Sequence, residues 1–249
     1  MIESVKTNLR NLLNLFHLDL TRNLKYDRLT KSIIAKTIGS NSICIDIGAH
    51  KGEIMDLFLK YAPQGKHYAF EPIPLLYENL VKKYSGAAEV HPFALSDKEG
   101  ESCFQFVRNA PAYSGIVKRK YHVKKPDIEE IKVQLKTLDS LISANTKVDF
   151  IKIDVEGGEF PVLKGAQNLI FRDKPYIIFE SGTGASEFYG TVPEELYDFI
   201  TLKTDLEISL LTGWLKNQKA LTRTQYCACF YTNSEYYFIA HPKRKSIEH

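Results

Sequence analysis

Nowhere in these 249 residues do some eighteen apolar residues run together, which is roughly what a bilayer-spanning helix needs. The opening twenty residues also lack a basic segment followed by a long apolar stretch, so no secretory leader is read there and a cytoplasmic location is the expectation. Cysteine is scarce. Cys44, Cys103, Cys227 and Cys229 contain no C-x-x-C pair, which argues against a redox or zinc motif and for reduced thiols. Excess charge is lacking too: a net +3, with Lys and Arg scattered except in the short run Lys243-Arg244-Lys245, is too small to imply a nucleic-acid partner. The glycine signatures G-x-G-x-x-G and G-x-x-x-x-G-K-[ST] are both missing, which argues against a dinucleotide enzyme and a P-loop enzyme.

What is present is an ordinary folded composition, 44% hydrophobic and 12% aromatic, in a chain long enough for one main domain. Residues 1–40 read as a helical segment, with Leu9, Leu12, Leu13 and Phe16 at helical spacing, which covers the domain's face or serves a homo-oligomer contact. Residues 41–249 read as the domain itself. Short apolar strands at 43–47, 67–71, 89–95, 149–153 and 176–180 alternate with amphipathic helices at 53–61 and 74–84, the rhythm of a parallel, doubly wound sheet. Segments 102–108 and 131–136 alternate like exposed strands and predict an antiparallel flap within about 101–136, bearing a polar loop at 109–126. A glycine-rich loop at 181–190, a helix from 193 to about 202 and strands at 206–211 and 236–240 complete the pattern.

Three strand ends carry chemistry. The first runs Asp46-Ile47-Gly48-Ala49-His50-Lys51-Gly52: an acid at the end of a strand, then a glycine-bounded turn into a helix, where backbone amides face a ligand. Asp46 either caps that turn or accepts from an ammonium group. The second ends in Glu71, nineteen residues past Gly52, where a carboxylate accepts from both hydroxyls of a ribose. The third, Ile151-Lys152-Ile153-Asp154-Val155-Glu156-Gly157-Gly158, brings Asp154 and Glu156 to the same carboxyl edge, the edge on which α/β sheets bind ligands.

With these blocks in order, and with Ala94-Leu95-Ser96-Asp97, Thr137-Leu138-Asp139 and Val162-Leu163-Lys164-Gly165-Ala166 between and after them, the sequence over 43–180 resembles the FkbM family of S-adenosylmethionine-dependent methyltransferases. The resemblance implies a Rossmann-like α/β fold of the class I methyltransferase type: a doubly wound, seven-stranded, mostly parallel sheet with an antiparallel last strand. It also implies S-adenosyl-L-methionine as cofactor and O-methyl transfer to a natural-product or sugar hydroxyl. Carried onto this chain, it has Asp46, Gly48, Ala49, His50 and Gly52 around the methionine portion, with Asp154 beside them. Glu71 would hold the ribose, and Ser96 and Asp97 would lie near the adenine. His50 stands where most such enzymes carry glycine.

A hydroxyl acceptor must lose a proton, and the candidate bases are Asp154, Glu156 and Glu180, with His122 of the flap loop a fourth if that loop closes over the site. Tyr113 and Ser114 are candidate acceptor contacts. Asp154 and Glu180 at adjacent strand ends are also the side chains that could share a divalent metal, although no close-spaced His/Asp cluster calls for one. Trp214 and Tyr226 are read as core aromatics rather than ligand platforms. The expected partner is a small-molecule or glycan acceptor. The competing readings are a catalytically silent binding subunit and an NAD-dependent oxidoreductase.

Overall fold

A computed structural model describes residues 21–119 and 125–243. The helical spacing at Leu9 to Phe16, the candidate base His122 and the basic positions Arg244 and Lys245 lie outside these residues. The first described element is helix α1 (Arg22–Thr37), whose start is capped by the Thr21 hydroxyl accepting from the Leu24 amide at 3.2 Å.

The main sheet is built from β1 (Cys44–Ile47), β2 (His67–Phe70), β3 (Ala88–His91), β7 (Phe150–Ile153), β8 (Tyr176–Glu180), β9 (Leu206–Leu210) and β10 (Tyr237–Pro242). They lie in the order β3-β2-β1-β7-β8-β10-β9. The β1–β2, β1–β7, β2–β3 and β7–β8 pairs are parallel, and β10 runs antiparallel to both β8 and β9. The seven-stranded, mostly parallel topology with an antiparallel last strand is therefore as expected. Strands β1, β2 and β7 are buried along their whole length, as a parallel sheet covered on both faces requires.

Because strand side chains alternate, each strand feeds two cores. On one face Ile45, Ile47, Ile151, Ile153, Ile177, Phe179 and Phe238 pack with Val162 and Leu163 of α5 (Glu159–Lys164), Leu169 and Ile170 of α6 (Gln167–Asp173), Leu196 of α7 (Pro193–Asp198) and Tyr226 of α9 (Arg223–Thr232). On the other, Cys44, Ala69, Phe150, Ile178 and Ile239 pack with Ile33 and Ile34 of α1, Met55 and Phe58 of α2 (Glu53–Tyr61), Leu80 of α3 (Pro74–Lys83) and Leu211 of α8 (Leu211–Leu215). The short helix α4 (Leu138–Leu141) adds Leu138 to the first face.

One expected strand is two. Residues 89–95 divide at Pro92 into β3, in the main sheet, and β4 (Phe93–Leu95), which pairs with a second sheet. Proline has no N–H to give to a central ladder, so the chain changes sheets there. β4 runs parallel to β6 (Ile128–Lys136), which pairs antiparallel with β5 (Gly100–Val107), so the flap has three strands rather than two. It is seated on the domain through Phe104, Val133 and Leu135 against Ile73 and Leu76 at the start of α3.

Candidate active site

A cleft of about 690 Å³ opens along the carboxyl ends of β1, β2, β7 and β8, between α1 and the flap. Strand parity places its polar wall. Asp46, Lys152, Glu180 and Tyr237 occupy the same face of the sheet as the core residues Cys44, Phe150, Ile178 and Ile239, two positions away along each strand. Asp46 is the register partner of Lys152, and Glu180 that of Tyr237. A row of ionisable groups thus replaces the hydrophobic row at the end where the helices part.

The first turn is held by its backbone. The amides of Gly48 and Ala49 donate to the Phe70 carbonyl at 2.9 and 3.1 Å. Gly48 has a φ of 80°, and a β-carbon there would stand 1.9 Å from the Asp154 carbonyl oxygen, so glycine is demanded by the neighbouring strand end. Gly52, also at positive φ, leaves room for the Tyr84 ring rather than for a ligand, and it does not line the cleft. His50 adopts a left-handed φ of 49°, a conformation His tolerates better than most side chains. Its amide donates to Glu71 Oε2 at 2.8 Å, the residue lines the cleft, and burial lowers its proton affinity.

Four carboxylates define the chemistry. Asp46 is 2% exposed and its Oδ2 has no hydrogen-bond partner among the described residues. Burial pushes its pKa up to about 7 despite the Lys152 ammonium. Glu71, 4% exposed, is also raised to about 7 by burial, although each of its oxygens accepts a backbone amide, Oε1 from Ile73 at 2.9 Å and Oε2 from His50. Asp154 is the contrast: burial works to raise it, but the Lys152 charge and the Tyr237 hydroxyl outweigh that and hold it below its ordinary value. Both donors reach one atom, Oδ2, Lys152 Nζ at 3.0 Å and the tyrosine hydroxyl at 2.7 Å. Glu180 has no hydrogen-bond partner among the described residues, and burial with the charges of Asp154, Glu159 and Glu156 raises it well above the carboxylate range.

The remaining wall comes from the flap and the loop after β8. Glu156, at a φ of 60°, is paired with the Arg119 guanidinium, whose side chain is only 7% exposed. Burial and the Asp154 charge lift Glu156 to about 8, against that pairing. Tyr189 accepts at its hydroxyl from the amides of Ile116 (3.0 Å) and Val117 (3.3 Å), which ties the flap to the loop at 181–190. Tyr113 lines the cleft with Arg119 5.4 Å from its ring centre, while the Ser114 hydroxyl is engaged by the Val107 amide at 3.0 Å.

Asp46, Gly48, Ala49, His50, Glu71, Tyr113, Ser114, Asp154, Glu156 and Glu180 therefore share one cleft. Ser96 and Asp97 do not line it: Asp97 pairs with Lys164 at 2.8 Å, and the Ser96 carbonyl packs where a β-carbon on Gly165 would go. Phe93, Ala94 and Leu95 line the cleft instead, one step earlier in the chain. Trp214 and Tyr226 are outside it, the first against Tyr176 and the second fully buried with its hydroxyl 2.7 Å from Ser181 Oγ. Among the described residues no group of three His, Cys, Asp or Glu side chains is arranged to hold a metal ion, and no helix is long and apolar enough to cross a membrane. Sequence reasoning missed Lys152, Tyr237 and Arg119. Only Lys152 left a legible signal, a charge inside an otherwise apolar four-residue strand.

Residues 46–206 match the family of Methyltransferase FkbM domains. The chain is 28% identical over 158 residues to the methyltransferase sdnD of Sordaria araneosa, a match covering 51% of this chain and 61% of that one. It is 24% identical over 176 residues to the AMB antimetabolite synthetase AmbE of Pseudomonas aeruginosa, covering 56% of this chain and 8% of the synthetase. In structure it is similar to the methyltransferase FkbM of Methylobacillus flagellatus, with a TM-score of 0.51 and 15% identity over 82% of this chain and 44% of that one. That similarity is one of fold.

Proposed function

Because this chain belongs to the FkbM methyltransferase-domain family, we propose that it is an S-adenosylmethionine-dependent O-methyltransferase acting on a hydroxyl of a sugar, glycan or related small metabolite. The observation that carries this reading is the presence, in one cleft, of a cofactor-type set of acids and of a carboxylate whose proton affinity is raised. The set comprises Asp46, whose Oδ2 has no donor among the described residues, and the amide-bound Glu71; the carboxylate is Glu180, in the same row as Asp46.

The donor set fits the cofactor. Asp46, buried and with an Oδ2 that has no donor among the described residues, suits a cationic ammonium, and each Glu71 oxygen keeps a lone pair for a ribose hydroxyl. When bound, the cofactor supplies an already electrophilic methyl group, so the protein's work is alignment, exclusion of water and removal of one proton. Glu180 is suited to that last task, since its proton affinity is raised and no hydrogen bond from the described residues occupies its side chain. Asp154 is a poor base, being held ionised by Lys152 and Tyr237. Glu156 can serve only if Arg119 releases it. An uncharged hydroxyl acceptor suits a cleft lined by seven carboxylate side chains against one guanidinium and one ammonium.

Incubating extracts with methyl-labelled cofactor and identifying labelled products by mass spectrometry tests the acceptor class; label appearing only on nitrogen or carbon would overturn O-transfer. With the acceptor in hand, Glu180→Gln should lower turnover by about two to four orders of magnitude while cofactor affinity stays within a factor of a few. Retained turnover would move the base elsewhere.

A further inference from the structure

Tyr237 begins the last strand to enter the sheet, yet its hydroxyl ends on an acid from a strand two places away. Its ring is clamped. Lys152 Nζ lies 4.8 Å from the ring centre, and the Tyr26 ring of α1 lies 4.9 Å away, tilted by 30°. Its register partner across the antiparallel pair is Glu180. From that seat it donates to Asp154 Oδ2, the same atom that Lys152 reaches, while Lys152 also donates to the Ile153 carbonyl at 3.2 Å. Both protein donors therefore fall on one oxygen. The other oxygen of Asp154 takes no hydrogen bond from the described residues, and Asp154 lines the cleft together with Asp46, whose Oδ2 also lacks a donor among the described residues. Two carboxylates lining one pocket, each with an oxygen for which the described residues supply no donor, call for a cation with several N–H groups.

We propose that Tyr237, seconded by Lys152, is a positioning residue: it fixes the Asp154 carboxylate so that its second oxygen, with Asp46, receives the ammonium of the cofactor's amino-acid end. This rests on the cofactor reading above and adds to it a residue from outside the 46–206 match. Phenylalanine at 237 keeps the clamp and loses only the donor.

A double-mutant cycle by titration calorimetry with S-adenosylhomocysteine tests the assignment, with Tm recorded for each protein. Tyr237→Phe should weaken binding about tenfold, the ordinary worth of a hydrogen bond to a charged group. In an Asp154→Asn background the same change should cost less than about twofold, since the partner through which it acts is gone. Affinity for 5′-methylthioadenosine, which has no amino-acid end, should not fall. Equal losses in both backgrounds, or no loss in either, would overturn the role of Tyr237. A wild-type protein that fails to bind S-adenosylhomocysteine would instead overturn the cofactor reading on which it rests.

Discussion

Asp154 and Glu180 stand at the ends of neighbouring strands, line the same cleft and repel each other, yet their proton affinities shift in opposite directions. Two donors hold Asp154 below its ordinary value, while Glu180, whose side chain has no donor among the described residues, has its proton affinity raised by burial and by the acids around it. Division of labour between like residues comes from such differences in surroundings. Glu71 is a case where the obvious variant misleads, because alanine would strip the acceptor from two buried amides, His50 and Ile73, as well as from a ligand. Glu71→Gln keeps the shape and one acceptor. It should weaken S-adenosylhomocysteine binding by about tenfold, by calorimetry, with a loss of stability under about 2 kcal/mol; unchanged affinity would remove Glu71 from the ribose. His50 shows why a side chain is accepted where glycine is usual. The turn needs its amide on Glu71 and a left-handed backbone, and histidine supplies both while the residue lines the cleft.

At the scale of elements, the flap is the part that turns a generic sheet edge into an enclosed site. It is fastened in three ways: by the apolar seat of Phe104, Val133 and Leu135, by the Arg119 pairing with Glu156, and by Tyr189 accepting two flap amides. The second and third fasten it to the loops after β7 and β8, beside Gly157, where a β-carbon would meet the Ala185 carbonyl at 2.6 Å. Tyr189→Phe removes the shared acceptor. Amide exchange at Ile116 and Val117 should then accelerate about tenfold while the core strands β1 and β7 are unaffected. Hydrogen exchange read by mass spectrometry or NMR checks this; unchanged protection would mean that the apolar seat alone holds the flap.

For the whole molecule, the row of buried acids has a thermodynamic consequence. Asp46, Glu71 and Glu159 are raised to about 7 and Glu156 to about 8, chiefly by burial. Their unfolded values lie near 4, so between about pH 4.5 and 7 the folded state holds protons that the unfolded chain has released. Stability must fall as pH rises through that window. Asp154 and Asp97, lowered below their ordinary values, act in the opposite sense and lose their contribution as pH falls below about 4. The ligand-free protein should therefore be more stable at about pH 6 than at pH 8, by several kcal/mol, each acid raised to about 7 contributing on the order of 1.4 kcal/mol. Scanning calorimetry across that range checks it, and a Tm that is flat or higher at pH 8 would contradict the burial of these groups. A cationic ligand should shrink the difference.

Much of this was legible in the chain because local patterns carry local physics. The short apolar runs ICIDI and FIKI, the glycines after Asp46 and the proline opening α3 determined strands, a turn and a helix start without reference to anything distant. The acids at the ends of β1, β2 and β7 fell on one edge because parallel strands in a wound sheet all point the same way. What tertiary structure alone decided was which of those acids is ionised, which is free and what faces them. That Tyr237 reaches Asp154, that Arg119 reaches Glu156, and that Asp97 turns away to Lys164 follow from register, sheet order and the folding of the flap. Proton affinity depends on burial and on neighbours within a few ångströms, and residues 83 and 37 positions apart become neighbours only when the sheet closes.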